Sequence, residues 1–295
     1  MNFIISSDSC LDELKDIYLN EGIRVIPMTF IAGDETFKDD FSSLEEYQKF
    51  YEEISSGKVF KTASLNSFEV EEHFEKLLAE QKDVIHIALS SGLSVTYNVV
   101  KEVAERLNSK HKNKIYVLDS LSATQGQNLL VKLANEYGKQ DMASHEVFER
   151  LEKVVQHLDV TFYVSDFDCL KRGGRVSGVA AAIGKFAGIR PILDFDTNGK
   201  LRVIGKVIGT KKALLSLAGH LENYDQEAGI PIYIAHTGNM EEVTELEQLI
   251  TSKFPNVKVV KNYIGPTIGS HTGYGALGLV FVGKGERKWM ITMEI

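Results

Sequence analysis

Short apolar runs alternate with longer stretches in which apolar residues recur every three or four positions. Phe3-Ile4-Ile5, Val84 to Leu89, Ile115 to Leu118 and Phe162-Tyr163-Val164 have the length and composition of buried strands. Between them, Phe68 to Ala79 and Thr96 to Leu107 carry the spacing of amphipathic helices. Strand and helix in alternation predict βαβ units around a mainly parallel sheet.

After about residue 158 the texture changes. Glycines crowd at Gly173, Gly174, Gly178, Gly184 and Gly188. Two antiparallel strands, Arg190 to Phe195 and Lys200 to Val207, are then predicted across the turn Asp196-Thr197-Asn198-Gly199, because Asn and Gly both tolerate positive φ. Further strands are expected near Pro231 to Ala235 and Val257 to Tyr263. This predicts an α/β protein of two α/β domains, residues 1–158 with a mainly parallel sheet and residues 159–295 with a mixed one. No proline- or serine-rich linker marks the division.

Composition narrows the function classes. The 295 residues are 43% hydrophobic and 25% charged, as in ordinary soluble globular proteins. A net charge of -8 repels phosphate backbones, so nucleic acid is not expected as a partner. Two cysteines, Cys10 and Cys169, cannot form a disulfide framework, and no Cys/His spacing suggests a metal. The first ten residues lack the basic flank of a signal peptide, and no stretch approaches the roughly 20 apolar residues of a membrane helix. The expected location is the cytoplasm.

Ligands of α/β proteins collect at the carboxyl ends of strands, where helix N-termini present free amides. Ser90-Ser91-Gly92-Leu93-Ser94-Val95-Thr96 follows such a strand and can hold an anion with hydroxyls and amides, although capping by Ser94 explains the loop equally. In Lys61-Thr62-Ala63-Ser64-Leu65-Asn66-Ser67, Ser67 is the expected N-cap, which leaves the Thr62 hydroxyl free. Gly265 to Gly275 holds four glycines around His271, which is a hydrogen-bonding group for a ligand or a structural histidine.

Other chemistries fit less well. Gly92-Leu93-Ser94-Val95-Thr96 is not a nucleophile elbow, since Thr96 replaces the final glycine. Gly173-Gly174-Arg175 has neither Rossmann nor P-loop spacing. Asp8, Asp119, Asp166 and Asp168 lie near strand ends, where turn and cap roles are the commoner explanation.

In order along nearly the whole chain, these segments resemble the DegV family of two-domain fatty-acid-binding proteins. The likeness is carried by Ser7-Asp8-Ser9, Lys61-Thr62-Ala63-Ser64, Ser91-Gly92-Leu93-Ser94 with Thr96-Tyr97-Asn98, and Asp119-Ser120 with Gln125-Gly126. It continues through Leu170 with Gly173-Gly174-Arg175-Val176-Ser177, Pro191-Ile192-Leu193 and Gly265-Pro266 to Gly278.

The resemblance implies a non-catalytic protein that binds a long-chain fatty acid such as palmitate in the interdomain cleft. Its carboxylate would meet Thr62, Ser94 and His271, supported by Ser91, Gly92 and Val95, with no cofactor and no metal. The tail would enter an apolar tunnel, for which the small-residue segment Gly178 to Gly184 is one candidate wall; tight helix packing explains that segment equally. The resemblance also implies an ATP-dependent fatty acid kinase as partner. Against that, Ile208 and Thr210 stand where the family carries arginine, and Val95 where it carries glycine. Asn66 and Tyr274 replace common prolines. The alternative is a serine/histidine-dependent enzyme acting on an acyl or phosphorylated small molecule through Ser94 and His271.

Overall fold

The computed structural model describes residues 1–165, 167–175 and 188–286. Asp166, Val176-Ser177 and the Gly178 to Gly184 segment lie outside the described residues.

The chain runs β1 (Phe3–Asp8), α1 (Lys15–Asn20), β2 (Arg24–Ile26), β3 (Thr29–Ala32), β4 (Glu35–Lys38), α2 (Leu44–Ser55), β5 (Lys61–Ala63) and α3 (Ser67–Leu78). It continues through β6 (Asp83–Ala88), α4 (Thr96–Asn108), β7 (Ile115–Asp119), α5 (Gln125–Lys139) and α6 (Ser144–His157). Then follow β8 (Leu158–Tyr163), α7 (Phe167–Gly173), β9 (Ile189–Phe195), β10 (Leu201–Ile208), α8 (Thr210–Gly219) and β11 (Ile232–His236). The described part closes with α9 (Met240–Lys253), β12 (Val259–Tyr263), α10 (Pro266–Thr272) and β13 (Leu277–Val282).

The alternating pattern builds what it predicts. A parallel sheet in the order β2-β1-β6-β7 forms from the N-terminal part, and a mixed six-stranded sheet β10-β9-β8-β13-β11-β12 from the C-terminal part. The fold class is therefore α/β with two sheets of the expected kinds. A small antiparallel sheet, β4-β3-β5, was not foreseen; its strands are only three or four residues long, too short to show a period.

Two local expectations change. Asn66, not Ser67, caps α3: its side chain accepts from Glu69 N while Glu69 reaches back, a reciprocal capping box. At the β9–β10 turn only Gly199 has positive φ, and Asp196 organises the loop by accepting the Asn198 and Lys200 amides.

The six-stranded sheet is buried on both faces. Tyr163, Leu279 and Phe281 pack outward under α8 and α9, where Leu214, Leu217, Val243, Leu246 and Ile250 are fully buried. On the opposite face, Val160, Phe195, Tyr233 and Val280 join one hydrophobic cluster with Ile85, Ile87 and α5 residues Leu129 and Leu130. Helix α5 is thus shared between the sheets, and that explains its buried polar first turn. Gln125 donates to Asp12 O, and Gln127 donates to Ser7 Oγ, Asp8 Oδ1 and Ile87 O.

Candidate functional site

A cavity of about 600 Å³ opens between the two sheets. From the N-terminal part, Thr62 and the Ser91 to Val95 loop reach it; from the C-terminal part, α10 and the inner face of the six-stranded sheet do. Its apolar lining includes Phe162, Phe195, Leu201, Ala235 and Val280. Thr62, Ser91, Ser94 and His271 add polar groups to the lining, a mixture suited to a ligand with an apolar body and a polar head.

All three residues expected to hold that head line the cavity. Thr62 Oγ1 lies 2.8 Å from His271 Nε2, so two of them are joined directly across the molecule. Burial, assisted by the positive charge of Arg175, holds the His271 pKa down at about 4. The ring is neutral at pH 7, with one nitrogen donating and the other accepting. Its Nδ1 faces Gly173, where an added Cβ would stand 2.3 Å away.

Ser94 is brought to the same cavity, but its hydroxyl is engaged within its own loop. It donates to Thr96 Oγ1 at 3.0 Å and accepts the Thr96 amide at 3.2 Å, local bonds to the first residue of α4, whose N-cap is Val95. Ser91 N donates to Asp119 Oδ1 and Gly92 N to Ser90 Oγ, so neither amide is spare. Val95 has φ -72 and ψ -9, an ordinary helical conformation, so valine there is unstrained where the family carries glycine. No hydrogen bond joins Ser94 to His271 among the described residues, and none carries an acid to His271 Nδ1. Among the described residues a serine/histidine catalytic arrangement is therefore not assembled.

The acidic residues serve as anchors. Asp8 accepts from Leu89 N, Cys10 N and Gln127. Asp119 accepts from Ser91 N and Leu121 N. Asp168 sits exposed in the first turn of α7. Asp39 was missed by the sequence reading. It accepts the Thr267 amide at 3.0 Å and the Thr267 hydroxyl, and so ties the N-terminus of α10, the helix that carries His271. Burial raises its pKa to about 6, although the Thr267 bonds pull the other way.

The two parts are stitched close to the site. Ser90 Oγ donates to Gly199 O at 2.7 Å, and a Cβ on Gly92 would stand 2.4 Å from the Gly199 carbonyl carbon. Arg175, exposed at the cavity edge, donates to Leu93 O. Tyr51 OH donates to Ile264 O just ahead of α10.

Residues 2–284 match the family described as "Uncharacterised protein, DegV family". A DegV domain-containing protein of Clostridium perfringens is 33% identical over 286 residues, covering 95% of this chain and 97% of its own. DegV of Bacillus subtilis, solved as a fatty acid binding protein, is 29% identical with a TM-score of 0.81, over 96% of this chain and 100% of that one. The Streptococcus pneumoniae Fatty Acid Kinase (Fak) B3 protein, solved loaded with linoleic acid, has a TM-score of 0.82 over 96% of this chain and 99% of that one. At 22% identity that likeness is one of fold.

Proposed function

This chain belongs to the DegV family, and from that premise we propose that it binds one long-chain fatty acid, performing no chemistry on it. The carboxylate lies at Thr62 and His271, and the tail fills the apolar cavity. The observation that carries the reading is the Thr62–His271 pair set in the wall of a 600 Å³ cavity that Phe162, Phe195, Leu201, Ala235 and Val280 also line. No cofactor or metal has a part in it.

With its proton on Nε2, neutral His271 donates to Thr62 Oγ1 and leaves the threonine hydroxyl to donate to a carboxylate oxygen. Ser94 adds a second donor by rotating its O–H from Thr96 Oγ1 while still accepting the Thr96 amide, since a hydroxyl has one donor and two lone pairs. Ser91, Gly92 and Val95 shape the wall around it. Neutral donors hold the carboxylate without a tight ion pair, so one oxygen stays reactive. Affinity comes from the tail: roughly 0.8 kcal/mol per buried CH₂ gives about 12 kcal/mol for fifteen methylenes before binding costs.

A carrier of this kind presents its acid to another protein, and an ATP-dependent fatty acid kinase fits that need. Ile208 is exposed, and the Thr210 hydroxyl accepts from Arg190, so neither supplies the cation expected there. Arg202 is committed to Asp194 in a two-bond pair. Exposed Lys211 and Lys212 stand next to these positions and serve such a partner in this reading. The division near residue 158 and a cytoplasmic location belong to the same reading; among the described residues no helix is long and apolar enough to cross a membrane.

Mass spectrometry of an organic extract from freshly purified protein tests the proposal. A stoichiometric C14 to C20 fatty acid is expected. An empty extract, with no rise in melting temperature on adding fatty acids, contradicts it.

A further inference from the structure

Asp12 is a buried acid that does not line the ligand cavity. It is 2% exposed, and among the described residues neither of its carboxylate oxygens has a hydrogen-bond partner. Its backbone is fixed on both sides. The amide donates to Ser9 O, the carbonyl accepts from Gln125 Nε2, and φ is 53. A Cβ on Gly265, the residue before α10, would stand 2.4 Å from Asp12 Oδ1 and 3.5 Å from Asp39 Oδ1. Two acids of the N-terminal part thus crowd one glycine of the C-terminal part.

The two acids differ in their donors. Asp39 accepts from the Thr267 amide and hydroxyl and from Ser9. For Asp12, the Gly265 amide eases a charge but completes no hydrogen bond. The other titratable groups around Asp12 are Asp8 in β1, Cys10 and Glu13 in the turn that follows, and Tyr47 and Tyr51 in α2. None of these supplies positive charge. Lys132 of α5 is engaged by Glu13 at 3.2 Å and Glu21 at 2.6 Å, and Lys15 by Asp40 at 2.6 Å. Where two buried carboxyl groups are neighbours, the one with donors takes the charge and the other keeps its proton. Burial and the charge of Asp39 push the Asp12 pKa well above the ordinary carboxylate value.

We propose that Asp12 and Asp39 form a proton-held latch on α10: uncharged Asp12 lets the two parts close on Gly265, and its ionisation loosens α10 by repulsion across that glycine. Helix α10 carries His271, so the latch sets how firmly that ring is held; its effect on the ligand rests on the fatty-acid reading. The folded value is raised, so the contribution of Asp12 is complete below about 4 and is lost as pH rises.

Urea unfolding of the delipidated full-length protein and its Asp12→Asn variant at pH 6, 7 and 8 tests the latch. Asparagine stays neutral and tolerates positive φ, so the variant keeps the junction closed. Relative to the variant, the wild-type folding constant should fall by up to about tenfold per pH unit, with faster amide exchange in α10. The carboxyl ¹³C spectrum of the wild type reads the same proton without a variant, and Asp12 should be protonated at pH 7. A ratio of folding constants that does not change with pH, equal α10 exchange in the two proteins, or an ionised Asp12 at pH 7 overturns the latch. Hexadecanoate affinity should also weaken with rising pH in the wild type relative to the variant, and equal slopes overturn the link to His271. If hexadecanoate binds neither protein, the fatty-acid reading fails, and the unfolding comparison still decides the latch.

Discussion

Thr62 Oγ1 and His271 Nε2 meet at 2.8 Å although 209 residues separate them in the chain. One side chain comes from a three-residue strand of the N-terminal part, the other from a two-turn helix of the C-terminal part. The pair exists only while the two parts are held together, so changes that shift α10 or α7 should act on ligand binding before they act on folding.

Gly173→Ala is the sharpest such change. Its Cβ would stand 2.3 Å from His271 Nδ1, and the ring must move away from Thr62. Fatty acid affinity should fall by about tenfold, the worth of one hydrogen bond to a charged group. Fluorescent fatty acid displacement measures this, with the melting temperature as control; unchanged affinity counts against the placement of His271.

Asp39→Ala should loosen α10. It strips the Thr267 amide and hydroxyl of their acceptor, at a cost of about 1–3 kcal/mol. Urea unfolding reports the loss, and hexadecanoate titration should show weaker binding. The wild-type acid also sets a pH trend. Its folded pKa of about 6 is raised above the ordinary carboxylate value, so its contribution is complete below about 4 and is lost as pH rises through 6. Asp39→Asn should remove that trend.

His271 has the opposite sign. Its folded pKa of about 4 lies below the ordinary 6.5, so the unfolded chain takes up a proton in that window and the folded chain does not. Its contribution is intact above 6.5 and lost as pH falls towards 4. Relative to His271→Gln, the wild type should lose up to about 1.4 kcal/mol per pH unit across that window. Urea unfolding at pH 7, 6 and 5 measures the difference, and a flat difference contradicts a buried, neutral ring.

Val280→Phe should shorten the acid that fits. Val280 is buried and lines the apolar wall, and a phenyl ring there takes space from the tail. Losing room for two methylenes weakens hexadecanoate by about tenfold at roughly 0.8 kcal/mol each, while shorter acids lose less. A series of saturated acids in a displacement assay checks the shift.

Much of this was legible in the sequence where a periodic pattern existed. The strand at Val84 to Leu89 and the helix from Thr96 follow from apolar spacing, and the glycine at 199 marked the β9–β10 turn correctly even though Asn198 does not share its conformation. Thr62 stood out because no cap needed its hydroxyl; Ser94 kept two readings, and its hydroxyl is engaged with Thr96 at the start of α4. The meeting of Thr62 with His271 came from family likeness, since no local spacing encodes a contact across 209 residues. Asp39 and Gly173 were missed for the same reason: each acts on a partner remote in sequence, and Lys38-Asp39-Asp40 reads as an ordinary strand end.

The most direct measurement compares hexadecanoate with hexadecanol, which shares the tail but lacks the carboxylate, by calorimetric titration of the delipidated protein. The acid should bind at least about tenfold more tightly to the wild type, and Thr62→Val should erase most of that preference. Equal affinity of acid and alcohol for the wild type, or a preference untouched by Thr62→Val, would contradict a carboxylate held at the Thr62–His271 pair.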